Sequence, residues 1–448
     1  MVSSIKGVHE LVELCKMHGI TRVVVSPGSR NAPLSITLSN TNGIDTYVVV
    51  DERSAAFFAL GISLALDQPV AVVCTSGSAA LNYAPAVSEA YYQKIPLIVI
   101  TADRPQEWIN QADGQTIMQH EIYGKHILHS VTLPVIENND SAWMYNRLIN
   151  EAFLKANGNV KGPVHINVPF KEPLYNTVEA PAGKVRSIRV LKQKSILNAA
   201  TRTLFEHVIS DTDKALLLVG QGKSSEKMNK VLEVFTSFNQ CVILSETTSN
   251  ISCKGAITTI DRVIDGLTET EKKEFAPHVL ITAGDAIVSK KVKAWLRSNR
   301  PFVHMHIGYE HNVVDTYSCL TDVVEANPVE IFEQGAAIAK NNARSTYAKM
   351  WAHRHEKIKS RQKEFMAGAT WSDLKLFEIL LKALPACNLH LGNSSPIRYV
   401  QLFDMNPHIH YYSNRGTSGI DGCSSTAAGF SVVSDKLNVL ITGDISFY

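Results

Sequence analysis

The chain has 448 residues, too many for a single hydrophobic core, and its 45% hydrophobic and 19% charged residues are typical of large α/β layers. The 44 Lys and Arg residues nearly balance the 42 Asp and Glu residues, which argues against nucleic acid or a membrane surface as a partner. No apolar run approaches the roughly 18 residues of a membrane span, and the first residues do not resemble a signal peptide. The seven cysteines show neither Cys-x-x-Cys pairs nor zinc-like spacing, so we expect a reducing, cytoplasmic location.

Short β-branched strands alternate with helical patterns in the first 180 residues. Such repeated βα units predict a parallel, doubly wound sheet whose binding edge lies at the carboxyl ends of its strands. The predicted strands are 22–25, 47–50, 70–74, 97–101 and 162–169, and the predicted helices are 8–18, 54–66 and 79–92.

Two further α/β units are predicted after a linker at 172–184 that is rich in Pro, Glu, Ala and Gly. Their predicted strands are 215–219, 241–244, 278–282 and 302–307 in the second unit, and 389–391, 408–412 and 439–442 in the third. We therefore predict three doubly wound α/β domains, at 1–180, 187–345 and 370–448. The third has too few strands to close a sheet like the others, so we expect it to be incomplete in this chain.

Three motifs stand at predicted strand ends. Ser26-Pro27-Gly28-Ser29-Arg30 and Asp51-Glu52-Arg53 follow the first two strands, and Gly443-Asp444-Ile445-Ser446 closes the last strand, after the glycine-rich segment 414–422. A Gly-Asp pair at the end of an apolar strand can place a carboxylate on a metal ion that holds a diphosphate. An isolated Gly-Asp pair is also common as a helix cap, so the order of the motifs counts for more than any one of them.

In this order the motifs resemble those of the thiamine-diphosphate enzyme family that makes 2-succinyl-5-enolpyruvyl-6-hydroxy-3-cyclohexene-1-carboxylate (SEPHCHC) in menaquinone biosynthesis. The arginine after Asp51-Glu52 favours this branch, because a His-Glu context is frequent in the wider superfamily. The resemblance extends over essentially the whole chain and is strongest at 22–120 and 389–446. It implies three α/β domains of the thiamine-diphosphate-enzyme type, with thiamine diphosphate and Mg²⁺ or Mn²⁺ as cofactors.

The resemblance assigns the cofactor to residues near both ends of the chain. Glu52 would hydrogen-bond the aminopyrimidine ring and favour its imino form. Ile420 would support the folded cofactor, and Asp444 would ligate the metal beside Ile445 and Ser446, with the family's further ligands expected after the end of this sequence. The alternatives are a first-turn glutamate at 52 that interacts with the helix dipole, core packing of Ile420, and a capping role for Asp444.

The substrates that the resemblance implies are 2-oxoglutarate and isochorismate, which together have several carboxylates that guanidinium groups could bind in bidentate pairs. The residues that match the family's substrate pocket are Ser29, Arg30, Arg104, Gln115, Lys290, Ser394, Arg398 and Arg415. Arg30, Arg398 and Arg415 are also catalytic candidates, since they could balance charge as CO₂ leaves. The family's Ala-Asn-Gln pattern is replaced by Asp113-Gly114-Gln115 here, and Lys291 is an alternative to Lys290.

One further motif, Gly220-Gln221-Gly222-Lys223, follows a predicted strand and could be a phosphate-binding loop, although it lacks the Walker spacing. The middle domain of this superfamily often binds nothing. A nucleotide site there is therefore the less favoured interpretation.

The implied reaction is the decarboxylation of 2-oxoglutarate and the addition of the succinyl-semialdehyde carbanion to isochorismate. The resemblance also implies a homodimer or homotetramer, in which Glu52 of one subunit acts with the partner subunit's Asp444. Two alternatives stay open: another thiamine-diphosphate 2-oxoacid carboligase or decarboxylase, such as an acetolactate-synthase-like enzyme, and a catalytically inactive binding module.

Overall fold

The computed structural model describes residues 1–181 and 183–447. These residues form two compact units, one made of Met1–Leu191 with the segment that begins at Asn414, and the other of Lys192–Ser413. Among the described helices, none is both long enough and apolar enough to cross a membrane. The predicted division into three domains stays a prediction.

The first unit is built around a six-stranded parallel sheet with the strand order β3-β2-β4-β5-β7-β6. Buried apolar side chains cover both of its faces, as expected for a parallel sheet between two layers of helices. The strands are β1 Val2–Ser3, β2 Arg22–Val25, β3 Asp45–Val48, β4 Val70–Cys74, β5 Leu97–Asp103, β6 His129–Thr132, β7 Val164–Pro169 and β8 Thr177–Val178. The helices are α1 Val8–Met17, α2 Ala32–Ser39, α3 Glu52–Leu66, α4 Ser78–Asn82, α5 Ala84–Tyr92 and α6 Asn139–Ala156.

The second unit contains a five-stranded parallel sheet with the order β10-β9-β11-β12-β13, and a separate parallel pair of β14 with β15. The strands are β9 Ala215–Val219, β10 Cys241–Ser245, β11 Val279–Ala283, β12 Val303–Ile307, β13 Asp322–Val324, β14 Asn388–Leu391 and β15 His410–Tyr412. The helices are α7 Ala199–Ser210, α8 Glu226–Thr236, α9 Ile260–Ile264, α10 Glu269–Glu274, α11 Lys290–Ser298, α12 Pro328–Ile338, α13 Tyr347–Gly368, α14 Asp373–Ala383 and α15 Ser395–Val400.

The last elements belong to the first unit: α16 Cys423–Ser431, β16 Asn438–Ile441 and α17 Asp444–Phe447. The predicted α/β class with parallel sheets is confirmed, and both ends of every predicted strand lie within two residues of the ends of an observed strand. The predicted helix 79–92 is divided into two helices, α4 and α5. Pro85 lies in the first turn of α5, where its missing N–H costs no hydrogen bond, whereas it could not continue the hydrogen bonding of α4. The strands β1, β6, β8 and β13 were not predicted, and neither were the helices α2 and α6 of the first unit.

Helix α16 packs against α3 through glycines on both helices. A Cβ atom on Gly61 would lie 2.0 Å from the carbonyl oxygen of Thr426, and one on Gly429 would lie 1.9 Å from the carbonyl oxygen of Phe58. The backbones of the two helices are therefore in direct contact at these glycines, with no room for a side chain between them. This packing holds residues 423–431 against the helix that begins at Glu52.

We expect Gly61→Ala to lower the free energy of unfolding by about 1–3 kcal/mol, because the added methyl group meets a backbone oxygen that cannot rotate away. The expected sign is the reverse of the usual one, since Gly→Ala in a helix interior normally stabilises by about 1 kcal/mol. Urea unfolding of Gly61→Ala and of Gly114→Ala measures this; a Cβ at Gly114 meets no atom within 4 Å. Equal stability of the two variants would contradict the close packing.

Candidate active site

The carboxyl ends of β2, β4, β5 and β7 form one edge of the six-stranded sheet. The register pairs Val25 with Val73, Cys74 with Thr101, and Thr101 with Asn167. The loops that follow these strands therefore lie side by side, where parallel sheets usually bind ligands. Ser29, Arg30, Arg104 and Gln115 all belong to these loops.

Arg30 is buried, and protein groups hold its guanidinium in place. Its Nη1 donates to the carbonyl oxygen of Phe170 at 3.2 Å, and its Nη2 lies 3.2 Å from the Glu172 carboxylate. Its backbone N–H donates to Thr75 Oγ1 at 3.3 Å. A Cβ on Gly28 would lie 2.5 Å from the Thr75 Cβ, so this loop can follow β4 closely only with glycine at that position.

Arg104 lies near the same carboxylate as Arg30. Its Nη1 is 3.3 Å from Asp113 Oδ2 and 4.0 Å from Glu172 Oε1. Its Nε is buried and has no hydrogen-bond partner among residues 1–181 and 183–447. The structure thus brings two of the predicted arginines together around one carboxylate, Glu172, and leaves a donor of Arg104 unused.

Ser29 and Gln115 are both exposed at this edge. Gln115 has φ = 56°, in the left-handed region, and its backbone lies 3.4 Å from the position that a Cβ on Gly77 would take. The buried residue of this loop is Gln119, which was not predicted. It accepts the N–H of Gly77 at 2.8 Å and donates to the carbonyl oxygen of Ala102 at 3.0 Å, so it joins the loop to the ends of β4 and β5.

A buried polar network lies under these loops. Asn167 donates to Asp103 Oδ2 at 2.7 Å and accepts from Thr101 and Gln119 at 2.9 and 2.8 Å. Asp103 also accepts the backbone N–H of Arg104 at 2.8 Å, and its burial raises the pKa of its carboxyl group. Burial disfavours the charged form of His165 as well, and this lowers the pKa of its ring to about 3. The ring, which contacts Thr101, is therefore neutral at neutral pH. The network fixes the start of the Arg104 loop.

Glu52 is the first residue of α3 and is half-buried. The cap of this helix is Asp51, whose Oδ1 accepts the Ser54 N–H at 2.8 Å, and this bond lowers the pKa of the Asp51 carboxyl group. The side chain of Glu52 makes no hydrogen bond within the described part of the chain. Burial, and to a smaller extent the charge of Glu52, raises the pKa of the Cys74 thiol. Glu52 follows the carboxyl end of β3, which is parallel to β2, so it belongs to the same sheet edge as the loops after β2 and β4.

The residues predicted to hold the cofactor in the 414–447 segment surround a short turn of helix. Ile420 is 43% exposed, and its carbonyl oxygen accepts a hydrogen bond from Ser446 Oγ. Asp444 and Ile445 are exposed at the start of α17, and Asp444 Oδ1 accepts the N–H of Ile445 at 2.9 Å. A Cβ on Gly443 would meet no atom within 4 Å, so space is open beside the Asp444 backbone.

The hydroxyl of Thr442 and the carboxylate of Asp444 are groups that fit a diphosphate and its metal ion. The buried Thr442 Oγ1 has no hydrogen-bond partner among the described residues, and none of those residues form a cluster of three or more His, Cys, Asp or Glu side chains able to hold a metal. A single exposed carboxylate is nevertheless what Mg²⁺ requires when phosphate oxygens and water supply its other ligands. Asp444 could therefore hold a metal that is bound mainly by a cofactor diphosphate.

The remaining predicted residues divide between the two units. Arg415 is partly exposed in the first unit, whereas Lys290, Ser394 and Arg398 are exposed in the second. Lys291 forms an ion pair with Asp265 at 2.8 Å, while Lys290 has no ion-pair partner in the described chain. This difference favours Lys290 over Lys291, and the role of either residue stays a prediction.

The glycine-rich loop after β9 is not arranged to bind a phosphate. The N–H groups of Gly220, Gln221 and Gly222 already donate to carbonyl oxygens, at 2.8, 3.4 and 3.0 Å. A Cβ on Gly220 would lie 1.9 Å from the carbonyl oxygen of Asp285, so the space beside the loop is filled. Gln221 Nε2 donates instead to the carbonyl oxygen of Ser413 at 3.0 Å, which anchors the end of β15. A phosphate would therefore find none of the N–H groups at 220, 221 and 222 free.

Comparison with known proteins places these observations in a family. Residues 5–127 match the family described as thiamine pyrophosphate enzyme, N-terminal TPP binding domain. The chain is 40% identical to the 2-succinyl-5-enolpyruvyl-6-hydroxy-3-cyclohexene-1-carboxylate synthase of Phocaeicola vulgatus, over 100% of this chain and 79% of that protein. It is 40% identical to the synthase of the same name from Bacteroides thetaiotaomicron, over 100% and 80%, and 42% identical to that from Flavobacterium psychrophilum, over 98% and 78%. The predicted resemblance is confirmed, and the chain belongs to the SEPHCHC synthase family of thiamine-diphosphate-dependent enzymes.

Proposed function

We propose that this protein is a transferase of menaquinone biosynthesis that decarboxylates 2-oxoglutarate and adds the resulting succinyl-semialdehyde carbanion to isochorismate, giving SEPHCHC and CO₂. The observation that supports this function best is the pair of guanidinium groups around Glu172, at the same sheet edge as Glu52. Two adjacent guanidinium groups suit substrates with several carboxylates. The family relationship over the full chain agrees with this choice of substrates.

Thiamine diphosphate, when bound, supplies the carbon centre that stabilises the carbanion left by decarboxylation. Glu52 would hold the aminopyrimidine ring of the cofactor through a hydrogen bond and keep a proton at the ring nitrogen. Ile420 would support the folded cofactor by apolar contact. Asp444, with Ile445 and Ser446 beside it, would hold the diphosphate through Mg²⁺ or Mn²⁺.

Arg30 and Arg104 would bind substrate carboxylates in place of Glu172. The Glu172 side chain is 69% exposed, whereas that of Arg30 is 6% exposed, so the carboxylate can leave the pair while the guanidinium stays fixed. The Nε of Arg104 also has no partner among the described residues, so this guanidinium keeps unused hydrogen-bonding capacity. Such preformed donors bind anions without first having to be ordered. Ser29 and Gln115 are exposed at the same edge and could donate to substrate oxygens, and Lys290, Ser394, Arg398 and Arg415 complete the proposed substrate set.

The proposal includes a cytoplasmic homodimer or homotetramer, in which Glu52 of one subunit acts with the partner subunit's Asp444. This arrangement rests on the resemblance to the wider superfamily. The balanced charge of the chain offers no support for a nucleic-acid partner.

The test is the ultraviolet loss of isochorismate, measured with all components and then with 2-oxoglutarate, thiamine diphosphate or Mg²⁺ omitted in turn. We expect loss only when all three are present. A second assay supplies pyruvate in place of 2-oxoglutarate. If pyruvate is consumed there and isochorismate is consumed in neither assay, the acetolactate-synthase-like alternative is favoured. A protein that binds thiamine diphosphate with no dependence on Mg²⁺, and that consumes neither substrate, would favour the inactive binding module.

A further inference from the structure

Glu89, on α5, is a fully buried carboxylate that the proposed reaction does not use. It is 1% exposed. Its Oε1 accepts the N–H of Gly416 at 2.7 Å, and its Oε2 accepts the N–H of Thr417 at 2.6 Å and the Thr417 hydroxyl at 2.7 Å. Gln93, one helical turn later, donates its side-chain amide to Oε1. Four donors therefore occupy the four acceptor positions that a carboxylate offers.

The backbone at 416 and 417 thus forms an anion-binding site, and the carboxylate of Glu89 occupies it. Two successive backbone N–H groups, at 416 and 417, converge on one carboxylate, as they do in backbone sites that bind phosphates or other anions. Burying a carboxylate is strongly unfavourable unless hydrogen bonds replace its water. The bonds from Gly416 and Thr417 therefore stabilise the buried carboxylate, and the carboxylate in turn fixes the conformation of these two residues.

The fit between α5 and the turn is close. A Cβ on Gly416 would lie 2.6 Å from the carbonyl oxygen of Glu89 and 3.1 Å from the backbone nitrogen of Gln93. Only glycine allows the backbone at 416 to approach the end of α5 this closely. The turn is held by the Glu89 side chain and shaped by the Glu89 backbone.

We propose that Glu89 is a positioning residue for the cofactor segment, the residues 414–422 that contain Arg415 and Ile420. This inference rests on the proposed function. Arg415 directly precedes the turn that Glu89 holds, and Ile420 follows that turn by three residues. Because Glu89 fixes the turn, the backbone that carries Arg415 and Ile420 is ordered before any ligand binds. Binding therefore does not have to supply the free energy of ordering it.

The test variant is Glu89→Gln, which keeps the size of the side chain but replaces one acceptor oxygen with an NH₂ donor. At least one of the donors on Gly416 and Thr417 then faces another donor and loses its partner. We expect amide hydrogen exchange at 416 and 417 in the protein without cofactor to become about tenfold faster or more. We also expect the dissociation constant of thiamine diphosphate with Mg²⁺ to rise about 10- to 100-fold, by analogy with residues that orient the ligands of a bound metal.

The controls separate positioning from general stability. Glu137→Gln makes the same chemical change at an exposed glutamate in the same unit and should alter neither measurement. Thr417→Val removes the hydroxyl donor and leaves the backbone N–H, so it should give a smaller rise in the dissociation constant, of about threefold. It serves as the test if Glu89→Gln does not fold.

Two results would overturn the inference: unchanged exchange at 416 and 417 in Glu89→Gln, or faster exchange with an unchanged dissociation constant. Both can be read without catalytic turnover. If the unaltered protein binds thiamine diphosphate but does not consume isochorismate, the proposed function fails, whereas a weaker affinity in Glu89→Gln still supports the positioning role.

Discussion

Replacing Glu52 with glutamine should lower kcat for the loss of isochorismate by about 10²- to 10⁴-fold, the range typical of a lost proton-transfer group. Glutamine can occupy the same volume and can still donate or accept one hydrogen bond. It cannot hold the negative charge that would favour the imino form of the aminopyrimidine. The fall should therefore appear in kcat with saturating cofactor, with a smaller effect on cofactor affinity.

The structure explains why stability should be preserved in Glu52→Gln. The capping hydrogen bond of α3 belongs to Asp51, and Glu52 makes no side-chain hydrogen bond in the described residues. Asp51→Ala is the matched control at the neighbouring position. It should lower the free energy of unfolding by about 0.5–2 kcal/mol through loss of the cap. Thermal unfolding and steady-state kinetics of both variants distinguish the two residues.

A Glu52→Gln variant that keeps kcat within about threefold would contradict the assignment of Glu52 to the cofactor. The first-turn glutamate that interacts only with the helix dipole would then be the better explanation. In that case the variant should instead lose a few tenths of a kcal/mol to about 1 kcal/mol of stability, and the loss should shrink with added salt.

Local patterns were sufficient to predict the sheets, because buried parallel strands are short apolar runs. Cys241–Ser245 and Val279–Ala283 are fully buried or nearly so, and both were predicted to within one residue. The strand β6, His129–Thr132, was missed because three of its four residues are polar and it pairs only with β7, at the edge of the sheet. An edge strand need not be apolar on both faces.

Long-range partners account for the site residues that were not predicted. Glu89 and Gly416 are 327 positions apart, and no local pattern connects them. A signal was nevertheless present, since Glu89 lies between Val87 and Ala90, which are both fully buried on α5. A charged residue within an apolar helical face requires a partner, although the sequence alone does not name it.

The loop at 220–223 shows the opposite difficulty. Its glycines suggest free backbone donors, but whether an N–H group is free depends on the neighbouring loops. In the structure those loops contribute Ala283, Ala286 and Thr248, whose carbonyl oxygens take all three N–H groups. Composition indicated a flexible backbone there, and tertiary contacts determined that it serves to hold β15 through Gln221 and Ser413.

Replacing Asp444 with asparagine should raise the dissociation constant of thiamine diphosphate measured with Mg²⁺ by at least about 100-fold, above the range for residues that only support a metal ligand. Asparagine keeps one oxygen and can still accept the N–H of Ile445, so α17 should still form. It removes the negative charge that a hard cation with a bound diphosphate requires from the protein. The change is measured by titrating the protein with thiamine diphosphate at several Mg²⁺ concentrations and following the quenching of protein fluorescence.

Asp435→Asn is the matched control, because Asp435 is an exposed aspartate in the same segment and has no side-chain partner within the described residues. It should keep the affinity and the Mg²⁺ dependence of the unaltered protein. If Asp444→Asn instead keeps a normal dependence on Mg²⁺, the metal is held elsewhere and Asp444 acts only as the first residue of α17. If cofactor affinity falls while the dependence on Mg²⁺ is unchanged, Asp444 contacts the cofactor without the metal. Only the joint loss of affinity and of Mg²⁺ dependence agrees with a carboxylate that binds the cation directly.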